Sequence, residues 1–114
     1  MTTLSTHVLD TMHGTPAQGI ALSLGTQEGA VLFTGRTDAD GRCPGLPDLA
    51  PGTYRLRFAV AEYFRGKGVD LPDPPFLDVV QIDFGVAGGG ANGGGHYHVP
   101  LLVSPYAYST YRGS

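Results

Sequence analysis

The chain has 114 residues, enough for one domain of ordinary size and hardly for two. Lys and Arg number 7 against 10 Asp and Glu, a formal net charge of −3 with no basic stripe, which argues against a nucleic-acid or anionic-membrane binder. Charged residues are only 15% and apolar residues 41%, so the chain can fill a core and is not disordered, while part of its surface is expected to be covered by something other than water. Glycine (18) and proline (9) do not suit helix interiors, so short strands are expected to dominate.

The start, Met1-Thr2-Thr3-Leu4, shows no basic region followed by an apolar run, so no secretion signal is expected. No stretch approaches the ~20 apolar residues of a membrane helix, and the cytoplasm is the expected compartment. A first strand is predicted near 4–12, with Leu4, Thr6 and Val8 on one face and Ser5, His7 and Leu9 on the other. Gly14-Thr15-Pro16 turns the chain, and strands follow near 19–25 and 30–36. Asp38-Ala39-Asp40-Gly41-Arg42 reads as a turn, and Leu46 to Gly52 as a loop closing into a strand near 53–59. Ala59 to Lys67 breaks the strand pattern and is expected to form one short helix, stopped by Gly66 and Gly68. After the proline run Pro72 to Pro75 come strands near 76–84, 96–103 and 106–112. The glycine-rich 87–95 could be mistaken for a phosphate-cradling loop, but a strand follows it rather than a helix, so it reads as a hairpin tip. The spacing suggests an all-β sandwich or barrel in one domain spanning 1–114.

Three strands carry a second face that is neither plainly core nor plainly solvated. In 96–103, Tyr97, Val99, Leu101 and Val103 form a core face, and His96, His98, Pro100 and Leu102 lie opposite. Tyr106, Tyr108, Thr110 and Arg112 oppose Ala107, Ser109 and Tyr111 in the last strand. A half-apolar outer face of that extent is usually covered by a partner, which favours a symmetric homo-oligomer. His96 and His98 have the spacing of a two-histidine metal site, but a third ligand is hard to find, since Asp10 lies on the face away from His7 and His13 sits at a turn. Cys43 is the sole cysteine, so no intrachain disulfide is possible, and it is read as inert. Ser5 and Ser109 lie outside any Gly-x-Ser-x-Gly elbow, which argues against a serine hydrolase. Pro100 cannot donate to a sheet ladder, so an edge or bulge is expected there. The residues alone lead to an all-β oligomer with a histidine-rich, half-apolar face.

Leu4-Ser5-Thr6-His7-Val8-Leu9-Asp10-Thr11 with Gly14-Thr15-Pro16-Ala17, then Thr37-Asp38-Ala39-Asp40-Gly41-Arg42, then His96 to Tyr106 and Ser109 to Ser114 resemble the 5-hydroxyisourate hydrolases, the transthyretin-related enzymes of purine catabolism. The resemblance runs from residue 4 to 114, with departures at the glycine tract 88–95 and at Asp70 to Pro75. It implies a transthyretin-like (prealbumin-like) β-sandwich of seven to eight strands with one short helix, assembled as a homotetramer, a dimer of dimers with active sites between the dimers. It implies hydrolytic opening of the six-membered ring of 5-hydroxyisourate to 2-oxo-4-hydroxy-4-carboxy-5-ureidoimidazoline, with no metal or other cofactor. The family's functional residues map onto His7, Arg42, His98 and Tyr111, with Ser114 lining the same pocket.

That chemistry suits the residue types. Ring opening needs an activated water, a stabilised oxyanion and a proton for the leaving nitrogen. Histidine, with an ordinary pKa of about 6.5, is mostly neutral and basic at pH 7, and a guanidinium offers a permanent charge and a fork of donors. His7 and His98 are expected to share water activation and proton delivery, with Arg42 orienting substrate and oxyanion; which histidine is the base stays open. His96 is expected at the rim. The rival from another class is a non-catalytic small-ligand carrier of transthyretin type, which needs apolar channel walls and no proton-transfer set.

Overall fold

Alternation of apolar and polar residues drives two sheets to pack face to face. The computed structural model describes residues 2–88 and 95–113. Among the described residues there are ten short strands and one helix: β1 (Thr2–Ser5), β2 (Val8–Asp10), β3 (Thr15–Pro16), β4 (Ala21–Thr26), β5 (Val31–Arg36), β6 (Gly52–Ala59), α1 (Val60–Gly66), β7 (Val79–Val86), β8 (Gly95–His98), β9 (Leu101–Val103) and β10 (Tyr108–Thr110). One layer is ordered β5-β4-β6-β7; the other is built from β10-β9-β2-β3 and the parallel pair β1-β8. Leu22, Leu24, Leu56, Phe58 and Val80 from the first layer meet Leu4, Val8, Val99, Leu101 and Val103 from the second in a single core. This is the expected all-β sandwich with one short helix. Strands β1 and β2 together fill one predicted strand, and so do β8 and β9.

The two interruptions have physical causes. Pro100 has no N–H to give, so the ladder between β8 and β9 is broken there. Val99 and Leu101 still donate to the carbonyls of Ser5 and His7, at 2.9 and 3.0 Å, which keeps the two strands in line across the gap. On the partner strand, Val8 N–H turns away to the carbonyl of Gly41 at 2.8 Å, and His7 forms an antiparallel bridge with Arg42. A loop is thus inserted where the first strand was expected to run unbroken.

Strand β7 starts at Val79 rather than 76 and continues to Val86, because its antiparallel partner β6 sets both ends: Ala59 pairs with Val79 and Gly52 with Val86. The preceding Asp78 carbonyl accepts from Val60 and Ala61, both at 3.0 Å, and so satisfies the open N–H groups of the helix start, which has no side-chain cap. Helix α1 buries Val60, Ala61, Tyr63 and Phe64 on one face. It ends where Gly68, at φ +82, donates to the Arg65 carbonyl. The last strand is shorter than predicted: β10 covers Tyr108–Thr110 only. The register Thr110↔Leu101 nevertheless resumes beyond Pro100 as the bridge His98↔Gly113. No helix among the described residues is long and apolar enough to cross a membrane.

Candidate active site

The first and last thirds of the chain come together through β1 and β8. Their parallel register pairs Thr3 with His96 and Ser5 with His98. Side chains on one face of a parallel pair line up, so Thr3, Ser5 and His7 stand beside His96 and His98. Leu4, Thr6 and Val8 point the other way and are buried, as their alternation predicts. Thr6 Oγ1 satisfies itself on the Val99 carbonyl at 2.7 Å.

Arg42 reaches this face through a tightly specified loop. Thr37 is buried and anchors the loop's start, donating to the Ala17 carbonyl at 2.6 Å and accepting from Ile20 N–H at 3.0 Å. Asp38 closes it: one carboxylate oxygen accepts from the N–H groups of Asp40 and Arg42, at 2.9 and 3.0 Å. Gly41 stands at φ +76, and a Cβ there would collide with the Val8 carbonyl oxygen. Glycine is therefore required twice over, for the backbone angle and for the close approach to β2. The side chain of Arg42 is exposed, and among the described residues it has no carboxylate partner. Arg42 and Ser5 help to line an open depression of about 330 Å³ together with Leu4, Asp38, Cys43 and Leu46. A larger hollow of about 550 Å³ lies on the other sheet, lined by Ser23, Thr34, Arg36 and Arg57 among others, with no histidine in its wall. Size alone does not mark the site.

His98 sits at the centre of the polar face. Half-buried, it is held below the ordinary histidine pKa, first by its partial burial and then by the positive charge of Arg42 and the neighbouring His7 and His96. His7, Arg42 and His98, taken from three separate segments, thus converge within one chain. Ser5 Oγ lies 2.7 Å from His98 Nδ1 and 2.8 Å from His96 Nε2, and Thr3 Oγ1 lies 2.6 Å from His96 Nδ1. The far side of His98 is closed by the chain's end. Gly113 N–H donates to the His98 carbonyl at 2.7 Å, and a Cβ on Gly113 would stand 2.8 Å from His98 Cδ2. The Arg112 guanidinium lies 4.0 Å over the Tyr97 ring and fixes this segment to β8.

Tyr111 is placed differently. It is 59% exposed and shares no hydrogen bond with the other three among the described residues. It lines a separate cavity of about 260 Å³ with Ile82, Phe84, Tyr97 and Val99. Ser114 lies outside the described residues, as does most of the glycine tract read as a hairpin tip. Among the described residues no three His, Cys, Asp or Glu side chains are grouped to hold a metal ion. Cys43 is buried, and burial together with the charge of Asp38 raises its thiol pKa, which fits an inert side chain. Asp10, on the buried face, is occupied by Tyr63 and His13. Sequence reasoning gave no part to Thr3, and took Gly113 only as a member of the Ser109 to Ser114 motif; the pairing of distant segments is what gives each its place.

A two-layer sandwich with one short helix, carrying a paired-histidine and arginine face, is the architecture of a transthyretin-like protein. The profile of the HIUase/Transthyretin family matches residues 4–113, and the chain belongs to that family. It is 54% identical over 118 residues to the 5-hydroxyisourate hydrolase of Ralstonia nicotianae, covering 97% of each chain. Among solved structures, Klebsiella pneumoniae 5-hydroxyisourate hydrolase superposes with a TM-score of 0.83 at 37% identity, over 100% of both chains. Sea bream transthyretin in complex with thyroxine superposes with a TM-score of 0.82 at 32% identity, over 96% of this chain and 93% of that one.

Proposed function

We propose that this protein hydrolyses 5-hydroxyisourate, opening its six-membered ring to give 2-oxo-4-hydroxy-4-carboxy-5-ureidoimidazoline. The observation that carries the reading is the meeting of His7, Arg42 and His98 on one face of a fold shared with hydrolases of that name. A neutral imidazole takes a proton from water, and the resulting hydroxide adds to a ring carbonyl. Arg42 holds the carbonyl and offsets the charge that gathers on its oxygen. The C–N bond then breaks, the second imidazole gives a proton to the departing nitrogen and is restored by the proton the first took from water, and the new carboxylic acid releases its proton to solvent, so that a carboxylate and a ureido group remain. Acid–base help of this kind supplies roughly 10²–10⁴-fold. Tyr111 and Ser114 complete the pocket in the assembled protein, and no metal takes part.

The same reading includes a homotetramer, a dimer of dimers with the site between dimers. Two features support it. Among the described residues, β5 and β7 end one four-stranded sheet and β10 and β3 the other, with no further strand paired to their outer edges. The outer face around His98 carries the half-buried Leu9 and Leu102. Free edges and apolar outer faces both call for a second copy. The cytoplasm is the compartment we assign, in keeping with a free buried thiol at Cys43.

The test is direct. 5-Hydroxyisourate generated from urate by urate oxidase should decay faster in the presence of the purified protein than spontaneously, with turnover unchanged by EDTA. His7→Ala, Arg42→Ala and His98→Ala should each lower that rate at least ~10²-fold. Decay at the spontaneous rate with the intact protein would leave only the carrier reading, and loss of turnover in EDTA would point to a metal mechanism.

A further inference from the structure

The hydrogen bonds on the polar face form one continuous line: the Gly95 carbonyl, Thr3 Oγ1, His96 Nδ1, His96 Nε2, Ser5 Oγ, His98 Nδ1. Proton bookkeeping gives that line a direction. A carbonyl accepts only, and a hydroxyl has one proton to give. Thr3 spends its proton on the Gly95 carbonyl, at 3.2 Å, so at 2.6 Å from His96 it must accept, and His96 carries its proton on Nδ1. Neutral His96 is then bare at Nε2 and takes the Ser5 proton over 2.8 Å. Ser5, its only proton used, must accept from His98 at 2.7 Å, so His98 is protonated on Nδ1. The other nitrogen, Nε2, is left with its lone pair, and no hydrogen bond to it is made among the described residues. Reversing the line would sacrifice the Thr3–Gly95 bond and leave Nε2 protonated.

We propose that Thr3, His96 and Ser5 are positioning residues that hold His98 in its Nδ1–H tautomer and thereby make His98 Nε2 the base that takes the proton from water. The inference rests on the hydrolase reading for its consequence, though the line itself does not. When His98 accepts a proton at Nε2 the cation still donates from Nδ1 to Ser5, so no partner has to turn during the reaction. His7 is then the group that returns a proton to the leaving nitrogen. The role of His96 becomes definite: it acts through Ser5 and needs no contact with substrate.

Long-range ¹H–¹⁵N correlation of the histidine rings tests this in the full-length protein, at about pH 8 where histidine is ordinarily neutral. His98 should be observed as the Nδ1–H tautomer. Ser5→Ala removes the acceptor, and His96→Ala frees the Ser5 proton to go to His98 Nδ1; both should move His98 toward Nε2–H. In parallel, kcat should fall about 10–100-fold with KM little changed, since only the proton transfer is touched. Thr3→Val should weaken the Nδ1–H preference, and Thr3→Ser, which restores the hydroxyl, should recover it. All of these positions are exposed or half-buried, so the variants keep the core intact. Wild-type His98 in the Nε2–H form, or variants that leave both tautomer and kcat unmoved, would overturn the proposal. An Nδ1–H His98 in a protein that does not turn over would uphold the line and sink the hydrolase reading instead.

Discussion

At His98 a single ring is shaped from several sides. Its pKa lies below the ordinary value, first through partial burial and then through Arg42, His7 and His96. The acid limb of kcat/KM should accordingly lie below about pH 6.5. In Arg42→Gln, the His98 titration followed by NMR should move upward, though not fully, because burial remains the larger cause. The sign for stability follows from the same shift. The fold favours neutral His98, so its contribution is present above about pH 6.5 and is lost as pH falls through the lower folded value. Gly113 guards the other side of the ring. Gly113→Ala puts a methyl group against His98 Cδ2 and Cβ, so the ring or the terminal segment must shift. We expect at least a tenfold loss in kcat, about 1.4 kcal/mol or more in the barrier, with an unfolding midpoint close to wild type. Wild-type kcat in that variant would show that the terminal segment does not hold the ring.

Elements are joined by groups far apart in sequence, and this decides what could be read in advance. The carboxylate of Asp10, at the end of β2, is buried and accepts from the Tyr63 hydroxyl of α1 at 2.8 Å and from the His13 ring at 2.6 Å. Burial alone would raise its pKa, but the His13 N–H, the Tyr63 hydroxyl and the His13 ring outweigh it, and the carboxyl titrates below the usual range. Burial and Asp10 together push the Tyr63 hydroxyl up. Tyr63→Phe should cost about 1.5–3 kcal/mol at pH 7 by urea unfolding, the worth of a hydrogen bond to a charged group. Asp10's share of stability is present above the ordinary carboxylate pKa of about 4 and is lost as pH falls through its lower folded value. The penalty of Tyr63→Phe should therefore shrink in acid, and a penalty equal at pH 7 and in acid would mean that the bond to the ionised form contributes nothing. Alternation exposed the two faces of 4–9 and 96–103, and the paired glycines exposed the end of α1. Pro100 announced its own break, since it has no N–H for a ladder, but the break at His7, the late start of β7 and the use of Asp10 could not be read locally, because each is set by a partner strand, loop or helix. His96 and His98 announced themselves by spacing. Thr3, Ser5 and Gly113 became meaningful only once the register of β1 against β8, and of the chain's end against His98, was known.

For the whole molecule, the question is whether one chain suffices. His7, Arg42 and His98 meet within a single copy, so the proton-transfer set does not itself need a neighbour. The enclosure does. Arg42 is exposed, the depression it lines is open, and Tyr111 faces a different cavity. Oxyanion stabilisation is far stronger in a site shielded from water, so an isolated chain should bind substrate weakly and turn it over slowly. Leu102, half-buried on the outer face and paired with Leu9 and Ser109, is a place to test this without touching the set. Leu102→Arg puts a charge where the second dimer is expected to pack. Sedimentation equilibrium should show wild type as four copies and the variant as two, with turnover per chain reduced at least tenfold and partly regained at high protein concentration. Dimers with full turnover would mean that each site is finished by its own chain or by its edge-strand partner, and that the outer apolar face serves stability alone.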